Sequence, residues 1–194
     1  KAMYYLNIKT LDSSIFSDTV ELGENYFMNN SKDTEQRVVD FLDNLAIDYE
    51  LIRIDPSYAD TAQFCEAYKY PLAKSANAIL IASKRGPKSY SVCLALANTR
   101  IDVNKTVRKL MGVKRVSFAT PDEMNNLTGM QVGGVTPFAL PENLPVYVDS
   151  RIMELDWIIV GTGGRASKLK LSPKILHNIS NLQVVDGLAF NLDS

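Results

Sequence analysis

The decapeptide at 131–140, Gln-Val-Gly-Gly-Val-Thr-Pro-Phe-Ala-Leu, restricts the backbone more than any other stretch of this 194-residue chain. Two adjacent glycines, Gly133 and Gly134, admit positive φ and let another group come close, because no Cβ stands in the way. Thr136 is pushed toward an extended conformation by the proline behind it. Pro137 fixes its own φ and offers no N–H. The spacing predicts a stiff loop in which the N–H groups of Gly133, Gly134, Val135 and Thr136 share a concave space able to receive a carbonyl oxygen or an anion. A plain helix-to-strand turn accounts for the same residues, and short motifs often arise without function.

The flanking sequence places this loop in a mixed fold. Thr120-Pro121-Asp122-Glu123 is a capping box with proline at the first helical position, and Gly129 stops that helix. Upstream, Asp33 and Gln36 open a helix carrying Val38, Phe41, Leu42 and Leu45 at helical spacing. Ile47, Tyr49 and Leu51 alternate as a strand, and Ile52 and Ile54 then carry the apolar set on the opposite parity. Either both faces are buried there or a bulge re-phases the strand. Asp60 and Gln63 open a second helix through Tyr68, ended by Pro71. Two apolar strands, 76–83 and 89–97, form a hairpin across Lys84-Arg85-Gly86-Pro87.

Val103, Val107, Leu110 and Met111 predict a third helix that stops at Gly112, followed by a strand over 113–119. Beyond the loop come a strand at 146–148 and a hairpin of 156–162 with 167–171 across Gly163-Gly164. A last helix opened by Ser172-Pro173 and an edge strand at 182–185 complete the pattern. Helices and strands are interspersed while strands meet through tight hairpins. That is the mark of an α+β fold with a mixed, largely antiparallel sheet. Residues 1–32 read as an N-terminal extension, with a candidate strand at 4–8 and a polar turn-rich stretch at 24–30; residues 33–194 read as one domain.

Composition narrows the chemistry. Net charge is −1, so no global basic field favours nucleic acid, and any such contact must be local. Lys105, Arg108, Lys109, Lys114 and Arg115 form one basic group, and Lys168, Lys170 and Lys174 a second. Each is either a solvated face or a small set of phosphate contacts. Cys65 and Cys93 have neither disulfide nor metal spacing and suit a reducing cytosol. No His/Cys/Asp/Glu cluster has ligand spacing and no dinucleotide or phosphate fingerprint occurs, so neither metal nor cofactor is expected. With no apolar run near ~18 residues and no signal-peptide layout, a cytoplasmic protein without membrane contact is expected. The only histidine, His177, reads as a surface or half-buried helix residue. If the chain is an enzyme, it works by positioning and backbone electrostatics.

Gly-Gly-Val-Thr-Pro-Phe-Ala-Leu resembles the glycine-to-proline loop of the YbaK/ProX-type aminoacyl-tRNA deacylases. Phe118-Ala119-Thr120-Pro121-Asp122-Glu123, Thr128-Gly129 and Pro145-Val146-Tyr147-Val148-Asp149 follow in that family's order, and the similarity runs over about 33–176. The resemblance implies a curved, partly barrel-like mixed sheet with helices around it. It implies hydrolysis of the ester of a mischarged tRNA in trans, with cysteine or alanine on tRNA-Pro favoured. It implies no metal, the acceptor end of aminoacyl-tRNA as partner, and a synthetase as a further candidate partner.

Lys74-Ser75 before the apolar strand matches a family lysine that faces the loop across a pocket, which makes Lys74 and the loop 133–137 the candidate catalytic set. Asp149 matches a family aspartate near the pocket; it either accepts from the substrate's α-ammonium or caps the following turn. Gly163 falls on the glycine of an Ala/Ser-Gly-Arg motif, with Arg165 one residue late, as a substrate contact or an exposed turn residue. Phe138 reads as core beneath the loop, at the substrate side. Lys105, Arg108, Lys109, Lys168 and Lys170 are the candidate tRNA contacts. Where family members often carry a histidine, this chain has Asp55-Pro56. A non-catalytic tRNA- or synthetase-binding module with the same fold is the alternative function.

Overall fold

The computed structural model of the protein describes residues 34 to 192, all within one compact unit. The extension 1–32 and the capping residue Asp33 lie outside the described residues. The helices are α1 (Thr34–Asn44), α2 (Thr61–Tyr68), α3 (Arg108–Leu110) and α4 (Pro121–Thr128). The strands are β1 (Tyr49–Arg53), β2 (Ala76–Ser83), β3 (Tyr90–Leu96), β4 (Thr99–Ile101) and β5 (Val116–Phe118), then β6 (Val146–Asp149), β7 (Ile158–Gly161), β8 (Ser167–Leu171), β9 (Leu182–Val185) and β10 (Ala189–Asn191).

The predicted 76–83/89–97 hairpin is the centre of a five-stranded sheet, β5-β2-β3-β6-β9, in which β6 and β9 add in parallel. The second hairpin, β7–β8, joins β1 in an antiparallel sheet ordered β1-β8-β7, and β4 pairs with β10. The result is the expected α+β arrangement with mixed sheets, not closed into a barrel.

Apolar alternation decides which faces meet. Leu80, Leu94, Val148, Val160 and Leu169 pack with Val38 and Leu42 of α1 in the main core. The opposite face of the large sheet carries Ile81, Cys93 and Tyr147, against which Leu188 packs. Helix α2 covers the outer face of the small sheet through Phe64 and Cys65, against Ile54 and Ile159. Burial of this kind contributes about 1.5–3 kcal/mol per large side chain, so covering the outer face is worth a whole helix. The shift of parity in β1 is resolved by burial on both faces. Its register with β8 is unbroken, and Leu51 packs on the main core while Ile52 packs under α2.

Helix ends follow the sequence signals where a side chain supplies the cap. Thr120 accepts from Glu123 N–H while Glu123 accepts from Thr120 N–H, and Gly129 closes α4 at φ 70°. Asp60 caps α2 by accepting from Ala62 and Gln63, but left-handed Lys69, not Pro71, ends it. The third helix is a correction. Val103–Val107 is a π-helical turn, followed by the single α turn of α3. Two valines, a threonine and an asparagine disfavour a regular helix there, and Asp102 draws in Lys105 N, Thr106 N and the Thr106 hydroxyl. The last helix is 3₁₀ over Pro173–Asn178. Among the described residues no helix is long and apolar enough to cross a membrane.

Candidate active site

Strand β5 pairs with β2 only over Ile81, Ala82 and Ser83, and at its other end β2 meets β7 through one parallel bridge, Ser75 to Ile159. Between them the edge of β2 is open. Ala119 N donates to Leu80 O on that side, whereas Ser83 N donates to Ser89 O on the hairpin side. Strand alternation therefore turns the N–H and C=O of Ala78 toward the open edge. A cavity of about 480 Å³ lies there. Asp60 and Thr61 at the start of α2 form one wall, Phe118 to Pro121 another, and Val132, Gly133 and Val135 a third. Gly161, Arg165 and Lys168 close the end.

The loop is held by hydrogen bonds to Lys168, Arg165 and Gly163, but its peptides are not equivalent. Gly133 takes φ 86°. The peptide joining Gly133 to Gly134 is committed at both ends. Its carbonyl accepts from Lys168 Nζ at 2.7 Å, and its N–H donates to Gln131 O at 2.9 Å. The Gly134 N–H is thus not available to a ligand, which corrects one of the four expected donors. The peptides on either side differ. Val132 O accepts from Arg165 Nη1 at 2.8 Å, and Gly134 O accepts from Gly163 N at 2.6 Å. The N–H groups at the other ends of these two peptides, on Gly133 and Val135, make no bond among the described residues. A peptide whose carbonyl already accepts a hydrogen bond is the better donor. Thr136, Pro137 and Phe138 lie buried below the rim, and Phe138 stacks on Phe41 with centroids 6.1 Å apart.

Lys168 is the lysine of this site. Its side chain is 4% exposed, donates to Ala59 O at 2.8 Å as well as to Gly133 O, and lies 5.8 Å from the Phe64 ring centre. Burial pulls its ammonium down to about 8, partly countered by Asp60 and Cys65. Sequence placed Lys168 among the tRNA contacts, because it groups with Lys170 and Lys174 as a run of basic residues. The outward face is covered by α2 and the loop at Lys168 but not at Lys170, which pairs with Glu50 at 3.0 Å. That cover is tertiary, and no local signal reveals it.

Lys74 does not meet the loop. It ends a 3₁₀ turn, pairs with Asp156 and lies 4.4 Å from the Trp157 ring centre, outside the cavity lining. The cavity position on that strand belongs to Asn77, whose Oδ1 accepts from Thr61 Oγ1 at 2.5 Å. Asp149 is also elsewhere. Buried at 1% exposure, it accepts from Arg151 Nε at 2.7 Å, from Arg151 N and from Ala189 N, so it serves as the cap. Gly163 is beside the loop rather than in the cavity, at φ 93°. Arg165 reaches the cavity wall, bridging Val132 O and Pro56 O. Lys105, Arg108 and Lys109 are exposed on the π turn and α3. Asp60, Thr61, Asn77 and Phe118 were not singled out for the site; the Asp60 cap was legible, its place on a wall was not.

The α+β fold is also what comparison with known proteins returns. Residues 55–179 match the aminoacyl-tRNA editing domain, and the chain belongs to that family. It is 29% identical over 132 residues to the uncharacterized protein YwhH of Bacillus subtilis, covering 68% of this chain and 81% of that one. To EbsC of Enterococcus faecalis, named as a proposed Cys-tRNA(Pro)/Cys-tRNA(Cys) deacylase, it is 25% identical over 108 residues, covering 56% of this chain and 63% of EbsC. A solved structure of a proposed trans-editing enzyme for prolyl-tRNA synthetase superposes with TM-score 0.67 at 22% identity, covering 79% of this chain and 95% of its own. Hypothetical protein APE2540 gives 0.69 at 22% identity, covering 79% and 99%. At that identity the two structures speak for the fold.

Proposed function

We propose that the chain is an aminoacyl-tRNA deacylase that hydrolyses the ester of a mischarged tRNA in trans, in the cytoplasm and without a metal. The observation that carries this reading is the pair of N–H groups, on Gly133 and Val135, that make no bond among the described residues at the wall of a cavity in a domain of the editing family. They receive the ester carbonyl oxygen and hold it as negative charge develops under attack by water. Lys168 and Arg165 fix the peptides between them. Asp60, the one carboxylate on the wall among the described residues, takes the substrate's α-ammonium, while the apolar wall of Ala76, Ala78 and Val135 suits an uncharged side chain. EbsC's name supports cysteine on tRNA-Pro as the first substrate to try, with alanine next.

The test is a panel of aminoacyl-tRNAs, Cys- and Ala-tRNA-Pro included, followed for loss of the amino acid at neutral pH with and without a chelator. Faster loss than in buffer from at least one tRNA, unchanged by chelation, is expected. Asp60→Asn, which keeps the helix cap, should raise KM. If no tRNA is deacylated the enzyme reading is wrong, and loss of activity on chelation, restored by one divalent ion, overturns the metal-free mechanism.

A further inference from the structure

A second cavity, about 420 Å³, adjoins the first and shares three wall residues with it: Asn77, Ile79 and Phe118. Register puts these on one face of the large sheet, since Asn77 pairs with Ala95, Ile79 with Cys93 and Phe118 with Ile81. Phe118 stands where the two spaces meet and is 61% exposed, a large apolar surface left to water. Across the second cavity Phe190 of β10 is 44% exposed, and its register partner on β4 is Arg100.

The far wall is the π turn, through Val103 and Asn104. Its next residues include the basic group Lys105, Arg108 and Lys109, all exposed. Among the described residues Asp102 is the only acidic one on this wall, and both its oxygens are taken up in capping the turn. From the glycine loop outward the surface therefore runs from a small polar cavity to an exposed ring, a second cavity with another exposed ring, and then a cluster of cations.

Resting on the deacylase reading, we propose that this second cavity is the seat of the single-stranded 3′ end of the tRNA. The terminal adenine stacks on Phe118 while its aminoacylated ribose enters the first cavity. The preceding bases lie against Phe190, and the phosphates face Arg100 and the π-turn cations. Aromatic faces and a cationic border are what an unpaired strand requires, since every base offers a π face and every linkage a charge. The occupant is argued from continuity: the two cavities share Asn77, Ile79 and Phe118, so a nucleotide chain whose end is in the first has a path through the second.

The experiment uses an uncharged RNA hairpin ending in a single-stranded 3′ CCA with 2-aminopurine as the last base, and a blunt hairpin as control. The full chain should quench the fluorophore and bind the overhang hairpin more tightly than the blunt one. Phe118→Ala and Phe190→Ala should each weaken overhang binding roughly fivefold to a hundredfold, with little effect on the blunt hairpin. Both side chains are largely exposed, so melting temperature should hold; Arg100→Ala gives a third reading through a smaller salt dependence of binding. Phe190→Ala should leave cleavage of a small aminoacyl ester at the wild-type rate. Equal affinity for the two hairpins, or undiminished quenching in both Phe variants, overturns the proposal. Quenching without deacylation of any tRNA would sink the enzyme reading and leave this surface standing; deacylation without quenching does the reverse.

Discussion

Lys168 and Lys74 divide between them what one lysine was expected to do. A buried ammonium that holds two carbonyls fixes the loop, whereas a half-exposed ammonium on Asp156 and Trp157 fixes a strand end. Lys168→Met is therefore expected to lower kcat on the best substrate by 10² or more, the scale of one lost oxyanion contact, and Lys74→Ala to leave it within a few-fold. The opposite ranking restores Lys74 as the working residue. The same substitution has a pH signature. The Lys168 ammonium titrates at about 8 in the fold, against an ordinary value of 10.5. Between those values the unfolded chain holds a proton that the folded one has shed, so this group's contribution to stability grows as pH rises from 8 toward 10.5 and is lost as pH falls through 8. Melting wild type and Lys168→Met at pH 7, 8.5 and 10 should show the balance moving toward wild type above pH 8. A constant difference would mean that burial does not govern this lysine.

At the scale of elements, the loop's glycines are set by backbone packing as much as by chemistry. A Cβ on Gly134 would land within the Gly164 carbonyl, and one on Gly161 within the carbonyls of Gly134 and Val135. Gly134→Ala should thus cost stability outright, about 1–3 kcal/mol from overpacking, and a fall in melting temperature should accompany any loss of turnover. An alanine variant that melts like wild type but deacylates poorly would return this glycine to a purely chemical role. The sequence revealed that the loop was tight but not what pressed against it, because the partner is a hairpin far along the chain. Elements with their own punctuation were legible: the Thr120–Glu123 box, the β2–β3 and β7–β8 hairpins, the edge strand β9. Those that depend on neighbours were not. Three-residue β4 and β10 are too short to show alternation, and the π turn hid behind apolar spacing that a regular helix would share. Of the site, the loop and Arg165 could be read, whereas Lys168 looked like its solvent-facing neighbour Lys170.

At the scale of the molecule, the cavity belongs to no single layer. Its walls come from β2 of one sheet, β7 and β8 of the other, and the start of α2. The bond from Gly163 N to Gly134 O ties the loop to the hairpin across that junction. Its consequence is kinetic. The Gly163 amide proton can leave for solvent only when loop and hairpin part, so its hydrogen exchange is a clock for the opening of the site. That exchange should keep pace with the amides of β7 and β8 and run far slower than that of Gly86 in the exposed turn of the other hairpin. An amide at Gly163 that exchanges as fast as Gly86 would mean that the wall of the site comes and goes on its own, independently of the sheets that carry it.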